Sequence, residues 1–338
     1  MKSLRVTAPG TVELLDIARP AAGPRDVLVK VRACGICGTD VFYTHIGGLP
    51  HQRYDIPLGH EAAGEVVEIG ADVSGVSVGD HVVVNPMANA DGIIGNGGVQ
   101  GALSELLVLP DAKPGVHFRV IPDDIPWEVA ALNEPMAVAF HGVNRSGTGA
   151  GTKVVIFGAG PIGLGAAVAS KSNGADHVVV VDVVANRLEK ARLIGADGVV
   201  NSAEEDVIER LKELHGQVPG PVGRPPRPDT DVYLDAAGVP AVIETALKGL
   251  KHGAVLTIVG VHNKPVEIDL RDILPSEPDI RLAMGYPTEI FEVTESIIAD
   301  WRKYRHLISD IVPFAEAERA IRLASVPGAT DKVVVVFD

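Results

Sequence analysis

The feature that most constrains this fold is the run KVVIFGAGPIGLGAAVASKSNGA over residues 153–175. A β-branched strand feeds a glycine turn, and the turn opens a helix of small residues. Gly158, Gly160 and Gly163, with Pro161 and Ile162 between the last two, spell a G-x-G-x-x-G in the context that gives the pattern meaning. Gly158 permits the tight turn, Gly160 lets the backbone approach a pyrophosphate, and Gly163 lets the helix pack close to the strand. The helix N-terminus then offers free N–H groups and a positive dipole end to the phosphates. Asp182 ends the next strand, where a carboxylate accepts from both ribose hydroxyls and repels a 2′-phosphate. That favours NAD, while Arg187 close behind leaves room for NADP.

Strands and helices alternate from this point. HVVVVDVV (177–184), DGVVNS (197–202), DVYLDAAG (231–238) and AVLTIVGVH (254–262) read as strands, and ANRLEKARLIGA as a helix. Such alternation predicts an α/β domain with a doubly wound parallel sheet. The stretch before it is β-rich, with VLVKVRA (27–33), GEVVEIG (64–70) and HVVVNP (81–86) punctuated by Gly and Pro. WEVAALNEPMAVAFHGV, from Trp127, has helical spacing, and KVVVVFD (332–338) is a closing strand. A length of 338 residues suits two domains. The segment GQVPGPVGRPPRP (216–228) can be neither helix nor central strand and reads as a flexible surface loop.

Charge and composition exclude other classes. With 30 basic and 44 acidic residues the net charge is −14, and no Lys/Arg cluster forms a phosphate-binding face, so nucleic acid is not expected. The N-terminus has no apolar signal core. The most apolar stretch, Val154 to Ala169, is too short and too broken by glycine for a membrane span. Two cysteines make no disulfide framework, so the expected location is the cytoplasm.

Three separated segments carry metal-ligand chemistry: GICGTD with Cys37, Thr39 and Asp40, PLGHEAAGEV with His60 and Glu61, and NEPMAVAFHG with Glu134. Cys, His and Glu form a mixed set that suits Zn²⁺, and a catalytic zinc takes three protein ligands and leaves one position open. The segments lie too far apart for a local zinc motif, and singly each has an ordinary reading: a buried thiol, a hydrogen-bonded core histidine, a glutamate near a helix start. Cys34 and Cys37 also spell C-x-x-C, but the thioredoxin context is absent, so Cys34 reads as a packed thiol.

GICGTD, GHEAAGEVVEIG, GDHVVV, EPMAVAFHG and GAGPIG occur in the order seen in zinc-containing medium-chain dehydrogenases, and the chain resembles their polyol branch, which includes sorbitol, threonine and butanediol dehydrogenases. Glu134 carries the distinction, since classical alcohol dehydrogenases place a Cys there. The resemblance implies a β-rich GroES-like catalytic domain over 1–145, completed by 286–338, and a Rossmann domain over 146–285. It implies one catalytic zinc held by Cys37 and His60. Glu61 would be a direct ligand or exchange with water, and Glu134 would bind directly or through water. Thr39 would hand the alcohol proton outward, and Asp40 would orient the ligand histidine. The backbone of Val259, Gly260 and Val261, and of Met284 and Gly285, would hold the nicotinamide, in a cleft between the domains.

By the same resemblance the activity is hydride transfer from a secondary alcohol, diol or polyol to NAD, giving a ketone. The expected assembly is a homodimer or homotetramer that contacts through an edge strand. Two departures matter. The stretch MANADGIIGNGGVQGALSE holds no Cys where relatives carry a four-Cys lobe, so no structural zinc is expected. Phe42 stands where many polyol dehydrogenases carry a histidine, so the proton leaves through Thr39 and the nicotinamide ribose or reaches His45 by another path. Phe42, Tyr43, His45, Leu49 and Met87 are the expected pocket residues. Two alternatives stand beside this reading: a zinc-free NADP-linked quinone or enone reductase of the same fold, and a non-catalytic NAD-binding homologue. Cys37, His60, Glu61 and Asp182 argue against the first.

Overall fold

The β-branched runs become strands because valine and isoleucine pack well on a pleated, half-buried surface. The computed structural model describes residues 1–49, 52–53, 55–326 and 328–338. In chain order the main elements begin with β1 (Lys2–Ala8), β2 (Thr11–Asp16), β3 (Val27–Gly35), α1 (Gly38–Ile46), β4 (Ile56–Pro57), β5 (Glu61–Ile69), β6 (His81–Val84), β7 (Leu106–Leu109) and β8 (Phe118–Ile121). Then come α2 (Asn133–Ser146), β9 (Lys153–Phe157), α3 (Pro161–Ser172), β10 (His177–Asp182), α4 (Ala185–Leu193), β11 (Gly198–Asn201) and α5 (Val207–His215). The chain ends with β12 (Val232–Asp235), α6 (Pro240–Gly249), β13 (Val255–Ile258), β14 (Asp279–Leu282), α7 (Glu292–Tyr304), β15 (Ile308–Pro313), α8 (Ala317–Ala324) and β16 (Lys332–Val336).

Two units result: Met1–Pro135 with Ile290–Asp338, and Met136–Glu289. The first is built on a sheet in the order β8-β6-β5-β3-β16-β15, with β7 also pairing β3, and on a smaller sheet β2-β1-β4. β3 is buried along most of its length and runs antiparallel to both neighbours, pairing Gly35 with Glu61 of β5 and with Val334 of β16. Leu4, Val29, Leu58, Leu107, Phe118 and Val335 belong to its core. The Cys-free stretch after β6 forms a short 3-10 turn, Pro86–Ala88, and then a loop.

The second unit is an all-parallel sheet in the order β11-β10-β9-β12-β13-β14. Numbered within the unit this is 3-2-1-4-5-6, the doubly wound order in which a crevice opens at the carboxyl ends of the strands where the direction of winding reverses. Its inner strands β9 and β10 are buried β-branched runs, as a parallel sheet covered on both faces requires, while β14 at the edge is mostly exposed.

Local differences from the sequence reading have simple causes. β10 ends at Asp182, so Val183 and Val184 lie beyond it, and Val183 is exposed. The helical run from Trp127 is two pieces, Trp127–Ala130 and Asn133–Ser146. Residues 216–228 are not a bare loop: Gln217–Val218 and Arg227–Pro228 pair as a small antiparallel ladder around a 3-10 turn. No helix among the described residues is long and apolar enough to cross a membrane.

Candidate functional site

Cys37 is the N-cap of α1, so its side chain sits at the positive end of the helix dipole. Asp40, fully buried in the first turn, fixes this corner. One carboxylate oxygen accepts from the Cys37 amide at 2.9 Å and the other from the Gly59 amide at 2.9 Å. Asp40 therefore ties together the two segments that carry Cys37 and His60. The expected orienting contact to the ring is longer, with His60 Nδ1 3.9 Å from Asp40 Oδ1. Thr39 Oγ1 lies 3.5 Å from Cys37 Sγ.

Cys37, His60 and Glu61 bring ligand atoms within 4.8 Å of one another, the group among the described residues able to hold a metal ion. His60 and Glu61 are buried and Cys37 is half-buried. Burial alone would lower the His60 pKa, but the charges of Cys37, Asp40 and Glu134 outweigh it and push that pKa well above the ordinary histidine range. The site thus has an excess of negative charge that favours a cation, and its Cys, His and carboxylate donors suit Zn²⁺. Glu134, buried in the first turn of α2, is outside the three-residue cluster yet near enough for its charge to act on His60.

Lys332 has no neighbouring motif in the sequence that would mark it as part of the site. It opens β16, is buried, and donates from Nζ to Glu61 Oε1 at 2.5 Å and to the Ile36 carbonyl at 2.9 Å. Burial opposes its charge, while Glu61, Cys37 and Glu134 raise its pKa. Gly35 makes room for the pair, since a Cβ there would lie 1.8 Å from Glu61 Oε2. No sequence signal reports a partner 271 positions away; the register of β5, β3 and β16 creates it.

Cys34 points into the core, and burial raises its thiol pKa well above the usual range, so it is inert as one of a redox pair. Of the expected pocket residues, Phe42, His45 and Met87 are exposed. Tyr43 is buried in the core of its unit and its hydroxyl donates to Asn96 Oδ1. Leu49 is half-buried.

In the second unit, Gly158 takes φ +99° at the end of β9, and Gly160 caps α3 with Pro161 as its first residue. A Cβ at Gly163 would lie 1.7 Å from the Gly158 carbonyl oxygen, so any side chain there forces the turn to shift. Asp182 Oδ2 accepts from the Ala159 amide at 2.6 Å and Oδ1 from the Val184 amide at 2.8 Å. The carboxylate is thereby fixed between the glycine turn and the loop leading to α4, whose first turn carries Arg187. Val259, Gly260 and Val261 follow β13, and Met284 and Gly285 follow β14, at the same carboxyl edge. Val261 and Met284 are strongly exposed there.

Residues 161–300 match the zinc-binding dehydrogenase family and residues 23–118 the alcohol dehydrogenase GroES-like domain. The chain is 33% identical over 298 residues to sorbitol dehydrogenase of Bos taurus, covering 84% of this chain and 82% of that protein. It is 32% identical over 323 residues to (R,R)-butanediol dehydrogenase of Bacillus subtilis, covering 89% and 88%. The crystal structure of 2R,3R-butanediol dehydrogenase from Bacillus subtilis superposes with a TM-score of 0.85 at 28% identity, over 99% of both chains.

Proposed function

The chain belongs to the zinc-binding dehydrogenase family with an alcohol dehydrogenase GroES-like domain, and we propose that it oxidises a secondary alcohol of a small vicinal diol or polyol to a ketone, with NAD as hydride acceptor. The convergence of Cys37, His60 and Glu61 carries this reading. The names of the sorbitol and butanediol relatives give its substrate class.

In this reading Cys37 and His60 would hold one zinc, with Glu61 a direct ligand or exchanging with water and Glu134 bound directly or through water. When bound, the zinc polarises an alcohol oxygen as a Lewis acid, and the dinucleotide accepts the hydride. The protein's residues do the rest. Asp40 keeps the Cys37 and His60 segments in register through two amide bonds. Lys332 balances the charge of Glu61 and holds its carboxylate on the β16 side. Thr39, beside Cys37, takes the alcohol proton and passes it outward.

Asp182 supports NAD over NADP, because a fixed carboxylate at the end of β10 repels a 2′-phosphate. The ratio of kcat/KM for the two cofactors tests this, and Asp182→Ser should shift the ratio toward NADP. We also take β14, an outer strand with exposed Leu282, to be the edge through which two copies associate. Light scattering of Leu282→Lys, expected to be smaller than the parent, tests that assignment.

A further inference from the structure

We propose that Asp235 and His262 form a clamp that sets the protein's grip on the nicotinamide half of the dinucleotide, an assignment that rests on the dinucleotide reading above. Asp235 ends β12 and is fully buried at the carboxyl edge of the parallel sheet. Every acceptor atom it has is used on the loops of that edge. Its carbonyl oxygen accepts from the amides of Val259 and Gly260, both at 2.9 Å. Its Oδ1 accepts from the amides of Ala237 and Gly238, both at 2.9 Å. Its Oδ2 lies 2.6 Å from Nε2 of His262, the residue that ends the Val259–Val261 turn.

The two loops joined in this way are in backbone contact, since a Cβ on Gly260 would lie 2.3 Å from the Gly238 nitrogen. They also lean on the glycine turn: a Cβ on Gly158 would lie 3.2 Å from Ala236 and Ala237. Asp235 is thus the hub of a rigid edge, and His262 is the side chain that fastens the turn after β13 to it. His262 Nδ1 is buried without a hydrogen-bond partner, so the ring is held through Nε2.

Sheet order gives this edge its role. The dinucleotide lies across the point where the winding reverses, and the acidic residue that ends the second strand, Asp182, marks the adenosine side. β12 and β13 are the fourth and fifth strands, on the other side of β9, so their loops face the nicotinamide side. A defect in the clamp should weaken only contacts made there.

The test uses two probes on the full-length, zinc-loaded protein: NAD⁺, and ADP-ribose, which shares the adenosine and pyrophosphate but lacks nicotinamide. For His262→Ala the proposal expects about a tenfold weaker NAD⁺ Kd, the scale of one buried hydrogen bond to a charged group, with ADP-ribose binding unchanged. KM for NAD⁺ should rise with it, and His262→Gln, which keeps a donor near the Nε2 position, should restore most of the loss. Unchanged ADP-ribose binding also reports that the unit is folded. Equal weakening of both probes, or no weakening of NAD⁺, would overturn the clamp alone. Failure of the parent protein to bind either probe would overturn the dinucleotide reading and the clamp with it.

Discussion

At the scale of single residues, the site is an arrangement of charges. Cys37, Asp40 and Glu134 act on His60, while Glu61, Cys37 and Glu134 act on Lys332, the buried cation of the site. Replacing Cys37 with Ala should abolish zinc retention and turnover while NAD binding stays near the parent value; metal analysis and fluorescence titration of the same sample check both halves. Lys332→Met should leave the Glu61 carboxylate buried without its counter-charge, and breaking a buried pair this way destabilises by about 3–5 kcal/mol. Urea unfolding of the metal-free protein measures this, and Lys332→Arg should lose much less. The residue types Cys37, His60 and Glu61 were legible in the sequence, but their meeting was not, because segments this far apart converge only through sheet register. Lys332 was invisible for the same reason. Tyr43, read as a pocket residue, turned out to be packed in the core with its hydroxyl on Asn96, which a helix-face reading cannot foresee.

At the scale of elements, β9, its glycine turn and α3 were legible almost in full, because three local preferences agree there: β-branched residues in the strand, glycine in the turn, and Pro161 at the helix start. Gly163→Ala puts a Cβ against the Gly158 carbonyl, and the strain of relieving such a contact is about 1–3 kcal/mol. Dinucleotide affinity should fall while zinc content is unchanged, because the residues proposed to hold zinc belong to the other unit. Isothermal titration and metal analysis test the two parts. Element ends were less legible. Nothing in HVVVVDVV marks Asp182 as the last paired residue, and the side-chain bonds to Ala159 and Val184 that turn the chain there are tertiary. In 216–228 the abundance of proline and glycine ruled out a central strand correctly, yet proline is compatible with the small edge ladder that forms.

At the scale of the whole molecule, stability should depend on pH through His215. Burial, aided by the nearby charges of His177 and Lys153, lowers its pKa from 6.5 to about 4. The unfolded chain therefore takes up the proton first. The contribution is fully present above about pH 6.5 and is lost as the pH falls toward 4, by about 3 kcal/mol in total. Urea midpoints at pH 7 and pH 4.5 should differ accordingly, and His215→Asn, which keeps a partner for Thr230, should flatten the difference. An unaltered slope in that variant would place the acid sensitivity elsewhere. The architecture as a whole, a β-rich unit followed by a doubly wound one, was legible from the change of texture along the chain.

In the reading proposed above, this chain oxidises small diols or polyols by a zinc-dependent hydride transfer. The most direct measurement is the rate of NAD⁺ reduction with 2,3-butanediol, sorbitol and a simple secondary alcohol, on protein as purified, stripped of metal by a chelator, and reloaded with zinc. Turnover should favour a polyhydroxylated substrate, disappear with the metal and return with zinc. Turnover that continues undiminished after metal analysis shows the zinc gone would contradict that reading.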